Sequence, residues 1–172
     1  MELYIHYIFV RLSFLKSRLI SSCTAFVLFI LVFSSIVAYG QPFADSKGNT
    51  FLCTHKAGLL YFNKTENQFT AENLPISIPE GWTVNSLFED TITGDYWICS
   101  DKGLAVYQSK TQTLISRNNN PQHLPLFKRD DLTFIYRFFI DKNRTYWIIH
   151  WDFSPEIEPV LIHYNPLENK IQ

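Results

Sequence analysis

The sequence predicts an all-β chain. About three four-stranded antiparallel units form an incomplete β-propeller behind an N-terminal hydrophobic helix. Three observations lead there. Apolar residues make up 47 % of the chain and aromatic residues 16 %, a mixture that fits half-buried pleated surfaces better than amphipathic helices. One spacing pattern recurs three times beyond residue 40. The segments between the recurrences are rich in Asp, Asn, Gly and Lys, residues that tolerate positive φ or bond their own backbone in turns.

The chain begins with an address. Arg11, Lys16 and Arg18 face only Glu2 across the first twenty residues, and an uncharged stretch runs from Ala25 to Tyr39. A positive start, an apolar run of this length and small residues at Ala38 and Gly40 form a secretory signal over 1–40, cleaved after Gly40. Counted from Leu19, the uncharged stretch approaches bilayer-spanning length, so an uncleaved membrane anchor is the alternative. Either way residues 41–172 are expected outside the cytoplasm.

The repeats are read at about 41–70, 84–116 and 133–172. From the acidic turn residue to the central aromatic the spacing is 6 (Asp45 to Phe51), 7 (Asp90 to Trp97) and 6 (Asp141 to Trp147). From the next aromatic to the following apolar residue it is 7 in every unit: Phe62 to Phe69, Tyr107 to Leu114 and Tyr164 to Ile171. The central aromatics stand 46 and 50 residues apart, a period that belongs to repeat architectures. Each unit then reads as strands a, b, c and d. Strand a is found at 85–88 and 134–140, but no obvious strand a precedes Asp45, as though a distant strand completed the first unit. Phe51, Trp97, Trp147, Tyr107 and Tyr164 are read as packing between units rather than as ligand platforms. Gly58 and Gly103 are read as conformational residues entering strand c.

At these residues the chain resembles the two-component regulator propeller repeat of bacterial periplasmic sensors. That pattern runs Glu-Asp, a Gly or Asn turn, Leu-Trp-Ile-Gly-Thr, a short loop and Gly-Leu-x-x-Tyr. Glu89-Asp90, residues 94–100 (Gly-Asp-Tyr-Trp-Ile-Cys-Ser) and 103–107 (Gly-Leu-Ala-Val-Tyr) match it. The first unit has Phe51 for Trp and one extra residue before Gly58. The third keeps Asp141 and Tyr146-Trp-Ile but lacks the glycine. Cys53 and Cys99 occupy the family's glycine position.

The resemblance implies an extracytoplasmic input module of a sensor histidine kinase or hybrid two-component system, membrane-associated in the parent, with a glycan or other small extracellular ligand. Its implied partners are the remaining blades and kinase region of the parent, with dimerisation through that parent. Propellers close with about four to eight blades, and no exit helix, His-box or ATP-binding glycines follow Gln172. An N-terminal fragment without the kinase core is therefore expected.

Antiparallel order sends the b–c and d–a connections of every unit to one end. The long segments 71–83, 116–132 and 151–159 all belong to that set, and connections gathered on one face are how repeat proteins build binding surfaces. The segment 151–159 places Trp151 beside Asp152, Glu156 and Glu158, an aromatic plane with carboxylates suited to stacking on and bonding to a sugar. These four are the candidate ligand-binding residues. A solvated, proline-stiffened loop is the plainer reading.

Other chemistry is not signalled. Beyond residue 40 there are 12 Lys and Arg against 15 Asp and Glu, without the basic patch that nucleic acid demands. Cys53 and His55 lack a second pair at zinc spacing, so no metal, cofactor or catalytic residue is assigned. Two cysteines beyond the leader make no disulfide framework. Nucleophile elbow, Walker loop and dinucleotide fingerprint are all missing. The alternatives to a sensor input are an exported propeller enzyme, of lyase or quinone-dependent dehydrogenase type, and a non-catalytic adhesion or scaffold module.

Overall fold

A computed structural model describes residues 40–152 and 158–171. The N-terminal hydrophobic helix and signal segment expected over 1–40 lie outside these residues, apart from Gly40. Among the described residues no helix is long and apolar enough to cross a membrane.

Among the described residues twelve strands form three separate four-stranded antiparallel sheets. The first holds β1 (Gly40–Ala44), β2 (Thr50–Thr54), β3 (Gly58–Asn63) and β4 (Gln68–Thr70) in chain order. The second holds β5 (Val84–Asp90), β6 (Asp95–Ser100), β7 (Gly103–Gln108) and β8 (Thr113–Ser116). The third holds β9 (Ile135–Ile140), β10 (Tyr146–Asp152), β11 (Glu158–Asn165) and β12 (Lys170–Ile171). A single 3₁₀ turn at Pro125–Lys128 interrupts the connection between the second and third sheets.

The sequence spacings are the registers of hairpins. Phe62 lies opposite Phe69, Tyr107 opposite Leu114 and Tyr164 opposite Ile171, so the constant interval is the c–d turn. The acidic residue of the a–b turn is a local hydrogen-bond hub. Asp45 accepts from the backbone N–H groups of Lys47 and Asn49, and Asp141 from those of Asn143 and Thr145. The Asp90 turn holds one more residue, closing at Asp95 under a Gly94 N–H bond to the Asp90 carbonyl, which accounts for the longer interval to Trp97.

Strand a of the first unit is present, contrary to the expectation of a borrowed strand. β1 pairs with β2 along its whole length, from Gly40 opposite Thr54 to Ala44 opposite Thr50. Its sequence, Gly-Gln-Pro-Phe-Ala, shows little alternation and contains a proline. Both are tolerated because β1 is an edge strand with one unladdered side.

The sheets stack face to face, and period-two alternation sends each sheet's two sets of side chains to opposite neighbours. Phe51, Cys53 and Leu59 of the first sheet meet Leu87, Tyr96, Ile98, Ala105 and Tyr107 of the second. Trp97, Cys99, Leu104, Val106 and Ile115 of the second meet Ile135, Phe138, Ile148, Ile162 and Tyr164 of the third. Trp97 stacks on Phe138 (centroids 4.3 Å apart, planes at 18°) and on Phe127 (6.1 Å, 14°), with Tyr146 edge-on. The connections between sheets also feed these cores. Ile76 is fully buried in the first interface, and Leu126, Phe127 and Leu132 in the second. Much of their length is therefore packing rather than free loop.

Polar clips tie each a–b turn to the next sheet. Tyr96 donates its hydroxyl to Asp45 at 2.7 Å, and Ser46 donates its N–H and hydroxyl to Glu89. Arg144 donates to both oxygens of Asp90 (2.9 and 2.5 Å). Burial pushes the Asp45 carboxyl up, but bonds from Tyr96, Asn49 and Lys47 outweigh it and hold it below its ordinary value. The Arg144 guanidinium does the same for Asp90.

Phe51, Trp97, Tyr107 and Tyr164 are buried in the interfaces. Trp147, at the register position of Phe51 and Trp97, faces the far side of the third sheet. It stacks there on Phe139, meets the tilted ring of His163 in its own sheet, and donates its indole N–H to Asp141. No described sheet covers that face, and Phe139 and Leu161 beside it are 43 % and 56 % exposed.

Candidate functional site

The strands a of all three sheets, β1, β5 and β9, begin at the end where the b–c turns and the long connections meet. Hydrogen bonds bind these segments together. Thr83 donates its hydroxyl to the His55 carbonyl and its N–H to Asp101, and the Trp151 N–H bonds the Phe134 carbonyl. Two glycines permit this closeness. Gly58 (φ +66°) and Gly103 (φ +101°) lie under the carbonyl oxygens of Trp82 and Leu132, which a Cβ would approach to 2.9 and 2.6 Å. Each b–c turn is thus pressed beneath the connection entering the next sheet, and no larger residue has that space or that backbone region.

A cavity of about 390 Å³ opens at this end between the inner strands. Gln41 and Pro42 of β1, Cys53 and His55 beside them, Val84 and Asn85 of β5, and Tyr136 and Arg137 of β9 line it. The backbone cause is a pair of β-bulges. Register shifts fall between Val84 and Ser86 and between Ile149 and His150 of the ladder to β9, which re-aims the first residues of β5 and β9.

β9 is an edge strand, so carbonyls on its outer side need partners from elsewhere. Asn85 Nδ2 donates to the Ile135 carbonyl at 2.7 Å, and the Ser86 hydroxyl to the Tyr136 carbonyl at 2.8 Å. The first bond fixes the amide orientation, since turning it would set two oxygens against each other. Asn85 is 6 % exposed, and its Oδ1 has no hydrogen-bond partner. Such an orphan is unusual in a folded protein.

Arg137 supplies the charge. Its guanidinium lies over the Tyr136 ring, 5.4 Å from the centroid, and it joins none of the ion pairs among the described residues. The residues lining the cavity include no carboxylate. Cys53 stays an uncharged thiol there: burial pushes it up to about 12, against a smaller downward pull from Arg137. Burial likewise raises Cys99 to about 12, and both cysteines are free.

A second hollow, about 470 Å³, lies farther out at the same end, where residues 71–83 cross the b–c turn of the first sheet. Lys56, Leu74, Ile78, Glu80 and Trp82 line it. Among the described residues no group of three or more His, Cys, Asp or Glu is placed to hold a metal ion.

The candidate residues from sequence sit at this end in part. Trp151 lies next to the end of β10 opposite Pro159, and its ring meets Tyr136 edge-on, with centroids 6.3 Å apart. It therefore adjoins the wall of the inner cavity. Asp152 and Glu158 are register partners at the end of the β10–β11 ladder, and Glu158 is exposed. Glu156 falls within 153–157, outside the described residues. Asn85 and Arg137 were not singled out from sequence. Their signal was polar residues breaking two otherwise aromatic or apolar strand starts, Asn85 and Ser86 in Val84-Asn85-Ser86-Leu87 and Arg137 in Ile135-Tyr136-Arg137-Phe138.

No protein-family model matches the chain, and no curated protein matches it. Among solved structures it is similar in fold to the extracellular domain of a protein described as the hybrid two component system BT3049 from B. thetaiotaomicron. The TM-score is 0.50 at 19 % identity, covering 76 % of this chain and 16 % of that one. It is equally similar to the extracellular domain described as that of the one component system BT4673 from the same organism. There the TM-score is 0.50 at 17 % identity, over 77 % of this chain and 15 % of that one. The chain thus spans about a sixth of the length of these structures, and the likeness is one of fold.

Proposed function

We propose that this chain is the exported, ligand-facing start of a sensory propeller: an N-terminal part of the extracytoplasmic input module of a two-component signalling protein. The stacked sheets are its first blades, and the signal is a small extracellular molecule. One observation carries the reading. Three sheets of one repeat pattern bring their connections to a single end, and a cavity with Asn85 and Arg137 in its lining opens there between the inner strands. Binding sites built from loops on a rigid repeat scaffold have this form. The similarity in fold to extracellular domains of two component and one component systems supports it. The chain itself would bind, and catalysis would belong to another region of the parent. The uncovered aromatic face of the third sheet is where the next blade would pack.

The test is phosphotransfer in membranes carrying the complete reading frame, supplied with a panel of oligosaccharides and small sugars. Ligand-dependent labelling of the kinase histidine, lost when residues 40–172 are deleted in frame, is the expected result. Labelling that no ligand alters, or that survives the deletion with its ligand response intact, refutes the proposal.

A further inference from the structure

We infer that Asp141 and the aromatic face around Trp147 form a docking site for one kind of occupant: a further antiparallel sheet of the same repeat that reaches Asp141 Oδ2 with a phenol or guanidinium donor. The inference deepens the proposed reading, in which another sheet follows the third, by naming the group that recognises it.

The two interfaces inside the chain supply the rule. In every sheet the a–b turn aspartate uses Oδ1 to hold its own turn. It accepts from the N–H groups of Lys47 and Asn49 at Asp45, of Ile92 at Asp90, and of Asn143 and Thr145 at Asp141. Oδ2 serves the next sheet. Asp45 Oδ2 takes the Asn49 side-chain amide of its own turn and the Tyr96 hydroxyl of the second sheet, each at 2.7 Å. Asp90 Oδ2 takes Arg144 of the third sheet at 2.5 Å. Asp141 Oδ2 has the local donor, the Trp147 indole N–H at 3.1 Å, but none from beyond its own sheet. Asp141 also joins none of the ion pairs among the described residues. A carboxylate oxygen carries two lone pairs, so a second donor fits without displacing the indole.

The apolar face repeats in the same way. Leu59, Leu104 and Leu161 hold one register position on strand c. The first two are 3 % and 5 % exposed beneath the next sheet, whereas Leu161 is 56 % exposed. Phe139 stands opposite the central aromatic, as Phe43 and Phe88 do in their sheets. Side chains covered twice at equivalent positions mark the third face as shaped for the same cover.

The donor positions select the occupant. One is the residue before the central aromatic, where Tyr96 stands, and the other is the left-handed residue of the a–b turn, where Arg144 stands (φ +63°). A second copy of this chain would offer the outer face of its first sheet, with Thr50 and Gly48 (φ +77°) at those positions. Glycine has no side-chain donor, and threonine ends a ring's length short of a tyrosine hydroxyl. Head-to-tail pairing of two copies therefore leaves Asp141 unmatched.

The experiment gives this chain the missing donor. Sedimentation equilibrium of the full chain, in one mild detergent for its apolar N-terminal segment, compares wild type with Thr50→Tyr, Thr50→Phe and Thr50→Tyr/Asp141→Asn. Tyrosine and phenylalanine add the same ring, and only tyrosine carries the hydroxyl. Asparagine keeps an acceptor for the turn and puts an amide donor in place of Oδ2. Thr50→Tyr is expected to self-associate about tenfold more tightly than Thr50→Phe, the scale of one charge-assisted hydrogen bond. Adding Asp141→Asn should return it to the Thr50→Phe level. Thermal unfolding is followed in parallel; if the double variant does not fold, the comparison of Thr50→Tyr with Thr50→Phe decides. Equal association of those two variants, an advantage that survives Asp141→Asn, or a wild type that associates as tightly as Thr50→Tyr overturns the inference. Phosphotransfer in the parent is read separately: loss of its ligand response would sink the sensory reading and leave this face intact, whereas equal association of Thr50→Tyr and Thr50→Phe would do the reverse.

Discussion

Trp97 and Trp147 occupy the same register position in successive sheets, yet the stacking gives them different surroundings, and replacing each by alanine measures that difference. Trp97 is 7 % exposed and lies between Phe138 and Phe127, with Tyr146 against its edge. Burying an indole removes roughly 150–250 Å² from water, which at about 25 cal/mol per Å² is worth about 4–6 kcal/mol. Aromatic-to-alanine changes in packed cores cost about 3–5 kcal/mol, so about 4 kcal/mol is the expected loss for Trp97→Ala. Trp147 keeps one face open and touches Phe139, His163 and, through its indole N–H, Asp141. Its removal should cost about 1–2 kcal/mol, the scale of one hydrogen bond and a partly exposed stack.

Urea unfolding followed by circular dichroism reads both. With a slope of about 1–3 kcal/mol per M, Trp97→Ala should lower the midpoint by about 2 M and Trp147→Ala by under about 1 M. Should Trp97→Ala fail to fold, Trp97→Phe keeps the stack and should lose about 1–2 kcal/mol. Equal midpoint shifts for the two alanine variants would refute the directional stacking of sheets on which the fold argument rests.

Three further outcomes are expected. Gly103→Ala, which drives a Cβ to 2.6 Å from the Leu132 carbonyl at φ +101°, should lower stability by about 3 kcal/mol, while Gly48→Ala at φ +77° in open space should lose only about 1 kcal/mol in the same unfolding assay. Arg144→Gln should cost about 1 kcal/mol at pH 7, a modest figure because the guanidinium is partly exposed. The folded Asp90 carboxyl is held low by Arg144, so its contribution is present at neutral pH and lost as the pH falls below about 4; the gap between wild type and variant should narrow over that window in pH-dependent thermal unfolding. Cys53 and Cys99, raised to about 12 by burial, should resist alkylation in the native chain at pH 8 and label fully in denaturant, as read by peptide mass mapping.

The sequence by itself determined the local grammar: strands, hairpins and their registers. The interval of seven from Tyr107 to Leu114 marks a c–d hairpin because turn chemistry and the backbone ladder act over a few residues and leave their trace in the spacing. Period-two alternation likewise marked Trp97 and Phe51 as interior before any partner was known. It could not reveal β1, since an edge strand with a proline needs no alternation to be held in place by its one neighbour.

Only the tertiary structure decided where polar groups from different sheets would meet. Trp151 was visible as an aromatic among acids, but Asn85 and Arg137 lie 52 residues apart on strands that never pair, and looked like interruptions of apolar runs. Two bulges turn those strand starts, and stacking of whole sheets draws their inner edges together around one cavity. The angle and closeness of that stacking come from the volumes of side chains such as Trp97, Phe138 and Ile76 packed at once. A jigsaw of distant pieces leaves no periodic mark in the chain that carries it.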